Sequence, residues 1–311
     1  MIKNKEKNFV SAVVYCRDSE KTIKDFLGGI NEILKENFEK YEIICVNDCS
    51  DDDTVKQVNQ FCEENTVKSL TVVNTSFYQG LENGMIAGLD IAIGDFVFEF
   101  DSTILDFEPQ MVMDVYRRSQ QGNDVVFAVP QQSQKASSKL FYSLFNKFST
   151  SEHKITTVRF SVISRRGINR VKSMGVKTVY RKAVYASCGL PVAHMEYKPN
   201  AKGSAGDSQM QTKRELALNS LILFTDIGYK ISFALTMIMS VVLVAAGIYT
   251  VAVFLSATPV AGWTTTMLVM SFGFFGLFVI LAFVLKYLSV ILNLVFTHKQ
   301  YVIESVQKIT K

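Results

Sequence analysis

The chain has 311 residues and a formal net charge of +4, from 33 lysines and arginines against 29 aspartates and glutamates. Hydrophobic residues make up 48% of the sequence, which excludes an intrinsically disordered chain and a fibrous repeat. The small net charge does not indicate a nucleic-acid-binding protein. A chain of this length forms one large domain or two smaller ones.

Apolar runs of strand length alternate with helical patterns along the amino-terminal part of the chain. The expected strands cover 9–15, 41–46, 69–74, 96–100 and 124–129. Between them, apolar residues recur with the period of a helix near 23–34, 54–64, 80–93 and 109–121. This alternation predicts an α/β domain with a mostly parallel sheet and helices on both faces. Ligands of such sheets bind beyond the carboxyl ends of the strands.

Acidic residues follow two of these strands. Asp48 comes directly after the second strand, in a segment, 47–54, in which four of eight residues are aspartate. Asp101 comes directly after the fourth strand, and Asp106 follows it closely. A carboxylate at a strand end can bind a hard divalent cation, which in turn holds a diphosphate. Capping of the next helix explains some of the other aspartates, but it does not explain Asp48.

Other kinds of site are excluded by their missing motifs. The sequence has no P-loop, no Gly-x-Gly-x-x-Gly after the first strand and no Gly-x-Ser-x-Gly elbow. The three histidines, His153, His194 and His298, are isolated from one another, which argues against a histidine-based metal site. The five cysteines are an odd number in an expected cytosolic domain, so reduced thiols are predicted.

The carboxyl-terminal part contains a long apolar run. Residues 231–285 include no Asp, Glu, Lys or Arg. A bilayer span needs about 20 apolar residues, so the run predicts two transmembrane helices, at about 231–255 and 266–290, joined by a turn near Trp263. Lysines and arginines flank the run on both sides, and the positive-inside rule then places both termini in the cytoplasm. The alternative interpretation is a buried hairpin of core helices in a soluble protein. It is disfavoured, because such a hairpin would not be expected to lack charged residues over this whole length.

These patterns divide the chain into four parts. Residues 1–210 are expected to form the α/β domain, and residues 211–230 an amphipathic helix at the membrane interface. The two transmembrane helices fall within 231–296. In the tail, 297–311, apolar residues recur at helical spacing, which predicts a short cytoplasmic helix.

Several segments match the motifs of one family. Residues 46–54, Val-Asn-Asp-Cys-Ser-Asp-Asp-Asp-Thr, are similar to Val-Asp-Asp-Gly-Ser-x-Asp-x-Thr. Residues 101–103 fall on an Asp-x-Asp motif, and Asp106 on the aspartate that follows it. Residues 160–166 are similar to Phe-Arg-Leu-x-Ser-Arg, and residues 197–208 to an Arg-x-x-Gly-x-Ser loop. The chain therefore resembles the inverting family 2 glycosyltransferases, in particular the branch of dolichol-phosphate mannosyltransferases and bacterial undecaprenyl-phosphate glycosyltransferases.

The resemblance implies a fold, an activity and a location. The fold would be GT-A, a Rossmann-like α/β domain with a mostly parallel sheet, followed by a two-helix transmembrane hairpin. The activity would be transfer of a sugar from a UDP- or GDP-linked donor to a polyprenyl phosphate on the cytoplasmic leaflet of a bacterial inner membrane. Membrane lipids would be partners and nucleic acid would not. Small residues in the spans would allow a homo-oligomer.

The resemblance also implies site residues. The nucleotide sugar would contact Asp18, Asp48, Gly80 and Asp101. Asp101 and Asp106 would be the catalytic pair and would hold Mg²⁺ or Mn²⁺, which offsets charge on the leaving nucleotide. The lipid phosphate would be held by Arg165, Arg166, Lys202 and Ser208.

Departures from the family motifs leave three interpretations open. Thr103 replaces the second aspartate of Asp-x-Asp, and Arg159 replaces a candidate catalytic aspartate. The first interpretation is an active enzyme whose metal is held by Asp101 and Asp106. The second is an active enzyme with a different donor or acceptor, in which Arg17 and Arg159 replace some of the charge that a metal supplies. The third is a catalytically inactive relative that binds a lipid phosphate, a nucleotide or an active partner subunit.

Overall fold

A computed structural model describes residues 5–131, 158–174, 180–200 and 301–309, together with isolated helical positions between 235 and 291. Its elements are β1 (Glu6–Cys16), α1 (Ile23–Asn37), β2 (Phe38–Asn47), α2 (Thr54–Glu64), β3 (Leu70–Thr75), α3 (Leu81–Ile91), β4 (Phe96–Phe100), α4 (Pro109–Gln120), β5 (Val125–Pro130), β6 (Phe160–Ser164), α5 (Arg165–Ser173), α6 (Arg181–Ser187), β7 (Val192–Tyr197) and β8 (Ile303–Ile309). The strands and helices predicted before residue 131 are therefore confirmed.

The strands of the described residues form one sheet in the order β7-β5-β6-β4-β1-β2-β3-β8. Strands β1 to β4 are mutually parallel, as predicted, whereas β6 and β8 run antiparallel to their neighbours. The carboxyl ends of β1, β2, β3 and β4 meet along one side of the sheet, which we call the carboxyl edge. It is marked by Cys16, Asn47, Thr75 and Phe100.

Apolar side chains cover both faces of the sheet. On one face, α1 and α4 pack over aromatic rings of the central strands, with Phe26 edge-on to Phe100 at 5.3 Å between centroids. On the other face, α3 lies against β1 and β2. Gly88 permits this close approach, because a Cβ there would collide with the side chains of Val13 and Val46. Because successive side chains of a strand point to opposite faces, a central strand packs against helices on both sides of the sheet.

The tail forms a strand where a helix was predicted. Residues Ile303–Ile309 are β8 and pair antiparallel with β3, so the helix prediction for this part of 297–311 is wrong. The apolar residues Val302, Val306 and Ile309 have helical spacing, but β3 offers an edge of unpaired backbone groups. Pairing with that edge satisfies the backbone groups of β3, and β8 becomes the edge strand of the sheet. The tail belongs to the same compact unit as the α/β domain.

Most of the predicted membrane-associated region lies outside the described residues. This applies to the interfacial helix 211–230 and to the spans 231–255 and 266–290, apart from isolated helical positions within the spans. Among the helices that the structure describes, none has both the length and the apolar character needed to cross a membrane.

Candidate functional site

Asp48 is fully buried at the carboxyl edge and accepts four hydrogen bonds. The donors are the Tyr15 hydroxyl (2.7 Å), the Thr75 hydroxyl (2.9 Å) and the backbone N–H groups of Gln79 (2.9 Å) and Gly80 (2.8 Å). Both carboxylate oxygens are used, so Asp48 holds the ends of β1 and β3 and the start of α3 together. The expectation that this carboxylate contacts the nucleotide is corrected, because its hydrogen-bonding capacity is taken up within the protein.

Gly80 is the residue that lets the chain enter α3 beside Asp48. Its φ of +85° lies in the region that favours glycine, and its N–H points to the Asp48 carboxylate. Burial, followed by the charge of Asp48, raises the pKa of Tyr15 far above its ordinary value. The phenol therefore remains a donor to Asp48 at any ordinary pH.

The loops that follow β1 and β2 are joined by hydrogen bonds. The Asp18 carboxylate accepts from the Asp51 N–H at 2.9 Å, and the Asp18 N–H donates to the Ser50 hydroxyl at 3.1 Å. Asp18 and Cys49 both have positive φ, 46° and 53°. Cys49 stands where the family motif has glycine, which explains its left-handed backbone. Asp18 is about half exposed at this edge, in a position that a ligand can reach.

Arg17 connects the same two loops to the segment before α3. Its guanidinium donates to the carbonyl oxygens of Asp48 (2.9 Å) and Cys49 (3.3 Å) and lies over the Tyr78 ring, 4.2 Å from the centroid. The side chain of Arg17 is 21% exposed at the carboxyl edge, and its guanidinium also lies 3.5 Å from the Asp18 carboxylate and 3.9 Å from that of Asp51. This arrangement fixes a cation and an aromatic ring beside the loop of Asp48.

Asp101 lies at the end of β4 and is paired with two cations. The guanidinium of Arg181 donates to its Oδ1 at 2.9 Å, and the Lys182 ammonium donates to its Oδ2. The Lys182 Nζ also donates to the carbonyl oxygen of Val158 at 3.1 Å. Burial opposes ionisation of Asp101, but the charges and hydrogen bonds of Lys182 and Arg181 outweigh it, and the pKa of Asp101 lies below its ordinary value.

Arg181 is the centre of a buried ionic network. It is 1% exposed and donates to Glu82, Glu99 and Asp101. The Tyr185 hydroxyl donates to Glu99 at 2.7 Å. Burial, reinforced by the charges of Asp101 and Glu82, raises the pKa of Glu99 even though Arg181 and Tyr185 act in the opposite direction. The network fixes α6 against β4 and α3, and so fixes Lys182 on Asp101.

Asp106 is fully buried and forms a separate ion pair. It accepts from the Arg159 Nε at 2.8 Å and lies 2.6 Å from the Arg159 Nη2. The Tyr197 hydroxyl donates to its other oxygen at 3.0 Å. Burial, followed by the charge of Asp106, raises the pKa of Tyr197. Arg159 therefore neutralises the aspartate that was expected to be a metal ligand and catalytic residue.

The predicted metal site does not fit the residues present. Asp101 faces two cations, and Asp106 faces Arg159. Thr103 is turned toward Thr22, with 2.6 Å between their hydroxyl oxygens. The described residues contain no group of three or more His, Cys, Asp or Glu side chains placed to hold a metal ion. As these side chains are arranged, they offer no vacant carboxylate pair to Mg²⁺ or Mn²⁺.

Arg165 and Arg166 lie on the wrong side of the sheet for the role expected of them. They follow β6, and β6 runs antiparallel to β4 with Ser164 beside Phe96. Phe96 begins β4, whereas Asp101 follows its end. Because a strand rises about 3.3 Å per residue, the two arginines are separated from Asp101 by the length of β4. The prediction that they hold the lipid phosphate is therefore contradicted.

Both arginines have structural partners there. Arg165 donates to the carbonyl oxygens of Ala92 (2.8 Å) and Gly94 (3.0 Å), beyond the last turn of α3. Arg166 donates to both carboxylate oxygens of Asp124. Basic groups at a helix carboxyl end satisfy carbonyls that have no partner within the helix. The other two expected phosphate ligands, Lys202 and Ser208, lie outside the described residues.

The sequence motifs do not reveal the partners of Asp101. Arg181 and Lys182 were not singled out, because they lie about eighty positions later in the chain, without a motif. One signal was available in β4, Phe-Val-Phe-Glu-Phe, where Glu99 stands alone in an apolar strand. A buried carboxylate needs a cation or a donor, so Glu99 predicts a partner, although not which one.

A mostly parallel sheet with its ligand-binding loops on one edge is the architecture of a GT-A glycosyltransferase. Residues 11–174, more than half of the chain, match the glycosyl transferase family 2 domain, and the chain belongs to that family. An uncharacterized glycosyltransferase, sll0501 of Synechocystis sp., is 27% identical over 186 residues, which are 58% of each protein. The match thus spans less than two thirds of this relative.

Two further proteins, one compared by sequence and one by structure, are similar to this chain. The prophage bactoprenol glucosyl transferase homolog of Escherichia coli K12 is 26% identical over 232 residues, 71% of this chain and 74% of that protein. The mannosyltransferase PcManGT of Pyrobaculum calidifontis, solved with GDP-Man and Mn²⁺, superposes with a TM-score of 0.52 at 15% identity. That superposition covers 70% of this chain and 63% of the other. At this identity, the structural likeness shows the fold alone.

Proposed function

We propose that this protein is a membrane-bound inverting glycosyltransferase that transfers a sugar from a nucleoside-diphosphate sugar to a polyprenyl phosphate. One observation carries the proposal. Asp48 locks the β1, β2 and β3 ends and Gly80 into a preformed set of loops, and these loops present Arg17 and Asp18 at the carboxyl edge. A phosphate acceptor is supported by the relative named as a bactoprenol glucosyl transferase homolog.

The proposed reaction needs positioning more than proton transfer. An oxygen of the acceptor phosphate attacks the anomeric carbon of the sugar, and the bond between that carbon and the leaving diphosphate breaks with inversion. The acceptor oxygen is already anionic, so no base has to remove a proton. The protein must hold two anionic groups close together, for which cations such as Arg17 are suited. The family's candidate catalytic aspartate is not required for this chemistry.

An exposed apolar stripe supports a membrane location. Seven described helical positions, six within the second predicted span and one directly after it, are 49–62% exposed and carry large apolar side chains. They recur every three or four residues and lie on one helix face: Met270, Phe274, Leu277, Leu281, Val284, Leu288 and Ile291. Lipid is the environment in which such a face is stable. We therefore propose that 231–255 and 266–290 cross a bacterial inner membrane with both termini in the cytoplasm.

A second candidate function is a catalytically inactive relative that binds a nucleotide or an active partner subunit. The observation that favours it is the neutralised state of the motif positions. Arg159 forms an ion pair with Asp106, and the Thr103 hydroxyl is hydrogen-bonded to that of Thr22. Neither side chain is therefore available as the metal ligand that the family motif would supply. The two candidates differ in whether a labelled lipid product forms.

The test is transfer from labelled UDP- and GDP-sugars to polyprenyl phosphate by the purified full-length protein in detergent. Parallel reactions contain Mg²⁺, Mn²⁺ or EDTA. We expect a labelled lipid product from one donor. We expect Asp48→Asn to reduce its formation by about tenfold or more, because an amide cannot accept all four hydrogen bonds.

Asp53→Asn is the matched control, since Asp53 is an exposed aspartate at the start of α2. It should leave the rate unchanged. Folded protein that binds UDP or GDP but yields no lipid product with any donor would replace the transferase proposal by the inactive relative.

A further inference from the structure

We infer that Lys182 stands where a divalent cation would stand on Asp101, so that the donor diphosphate is bound without a metal ion. This inference rests on the proposed function, since it concerns the same nucleotide-sugar site. Lys182 would contact the diphosphate, and binding would occur in the absence of a divalent cation.

The placement of Lys182 carries the inference. Its ammonium donates to the Asp101 carboxylate at the end of β4, the position at which the Asp-x-Asp motif aligns. The Val158 carbonyl accepts a second hydrogen bond at 3.1 Å. An ammonium has three donors, and the described residues provide no acceptor for the third. A cation fixed by two contacts thus keeps one N–H for an anionic ligand.

The surrounding charges keep Lys182 in this position. Arg181 precedes it and is locked by Glu82, Glu99 and Asp101 at 1% exposure, so it cannot turn toward a ligand. It fixes the start of α6 instead. Lys182 is 8% exposed at its side chain, which keeps its charge in a medium less polar than water. There its attraction for a phosphate is stronger than on the surface.

Two more observations concern the residues that follow Asp101. The Ser102 hydroxyl is buried and has no hydrogen-bond partner among the described residues. A buried polar atom without a partner is costly unless a ligand or water satisfies it. Thr103, which replaces the second aspartate of the motif, is buried, and its hydroxyl is hydrogen-bonded to that of Thr22. The Ser102 hydroxyl therefore lacks a partner that a bound ligand could supply, while the Thr103 hydroxyl is already paired within the protein.

The test measures nucleotide binding rather than turnover. Full-length protein in detergent is titrated calorimetrically with UDP and with GDP, once in EDTA and once with excess Mn²⁺, and Mn²⁺ binding is followed separately by electron paramagnetic resonance. We expect one nucleotide to bind with the same affinity in both conditions. We also expect no Mn²⁺ to be immobilised by the protein–nucleotide complex.

Lys182→Met removes the charge at similar length and should weaken binding in EDTA by about tenfold or more. Lys172→Met is the matched control, because Lys172 pairs with Asp90 on α3 and lies on α5, away from Asp101. It should bind like wild type. If the methionine variant does not fold, Lys182→Arg is measured in its place. It keeps the charge and should retain binding in EDTA, and a folded Lys182→Arg variant that loses binding would count against the inference.

The outcomes separate the two proposals. Binding that requires Mn²⁺ in the wild type, or a folded Lys182→Met variant with wild-type affinity in EDTA, would overturn this inference and leave the transferase intact. A folded wild type that binds neither nucleotide in either condition would overturn the proposed function, and this inference with it.

Discussion

The side-chain amide of Gln79 forms two hydrogen bonds with the backbone of Val302, which is 223 positions away in the chain. The Gln79 Nε2 donates to the Val302 carbonyl oxygen at 2.6 Å, and the Val302 N–H donates to the Gln79 Oε1 at 2.8 Å. The Gln79 N–H in turn donates to the Asp48 carboxylate. The start of the tail is thus tied to the loop that Asp48 organises.

This tie predicts that Gln79→Ala lowers both stability and nucleotide affinity. Two lost hydrogen bonds correspond to about 1–3 kcal/mol of unfolding free energy. Gln60→Ala is the control, because Gln60 is exposed on α2 and its amide donates a hydrogen bond to the Glu64 carboxylate one turn further along the same helix. Urea denaturation and UDP or GDP titration check both effects. Equal stability of the two variants would show that the tail does not hold this loop.

Replacing Arg181 should have the largest effect on stability. Arg181→Met leaves Glu82, Glu99 and Asp101 buried without their shared cation, and breaking a buried ion pair costs about 3–5 kcal/mol. Arg117→Met is the control, since Arg117 forms an exposed pair with Asp114. The measurement is urea denaturation at neutral pH. A loss below about 1 kcal/mol would mean that the network does not hold α6 in place.

The arginines after β6 should matter for stability and not for the acceptor. Arg166→Gln removes both hydrogen bonds to Asp124, so we expect a lower unfolding temperature with an unchanged KM for polyprenyl phosphate. Thermal unfolding and transfer kinetics measure the two quantities. A raised KM with an unchanged unfolding temperature would restore Arg166 as a phosphate ligand.

Acid sensitivity should depend on Asp124. The hydrogen bond from Arg166, together with that from Ser164, lowers the pKa of Asp124 against the effect of burial. A carboxylate with a depressed folded pKa contributes stability above its unfolded pKa, about 3.9, and loses it as pH falls through the folded value. The unfolding free energy of the Asp124→Asn variant should therefore fall less steeply with decreasing pH than that of the wild type below about pH 4. Asp114→Asn, an exposed control, should follow the wild-type curve.

The loop after β2 should accept glycine and reject a β-branched residue. Cys49 has a φ of 53°, which costs about 1–2 kcal/mol for residues other than glycine. Cys49→Gly relieves that strain and should preserve stability, whereas Cys49→Val should lower the unfolding free energy by about 1 kcal/mol or more. Urea denaturation of the two variants decides the point, and equal midpoints would count against a left-handed backbone at this position.

The alternation of strands and helices could be predicted because it depends on local patterns. Apolar runs of strand length and helical periodicity each concern neighbouring residues, and they located β1 to β5 and α1 to α4. The tail could not be predicted in this way. The spacing of Val302, Val306 and Ile309 suits a helix, but an open edge on β3 decided for a strand.

The positions of the acidic residues could be predicted from the sequence, but their partners could not. Asp48 and Asp101 do lie at the carboxyl edge, because parallel strands end on the same side. Arg165 and Arg166 were misplaced, since nothing local shows that β6 runs antiparallel to β4. The reversal of one strand moves its following residues to the opposite edge.

The α/β class, the family 2 resemblance and the long apolar run without charge follow from the amino-acid sequence alone, since all three depend on residue order along the chain. Which cation pairs with which carboxylate depends on the tertiary structure. Arg159 reaches Asp106 across 53 positions, and Lys182 reaches Asp101 across 81. Such pairings depend on how segments distant in sequence pack, because burial makes an unpaired charge too costly to leave in place.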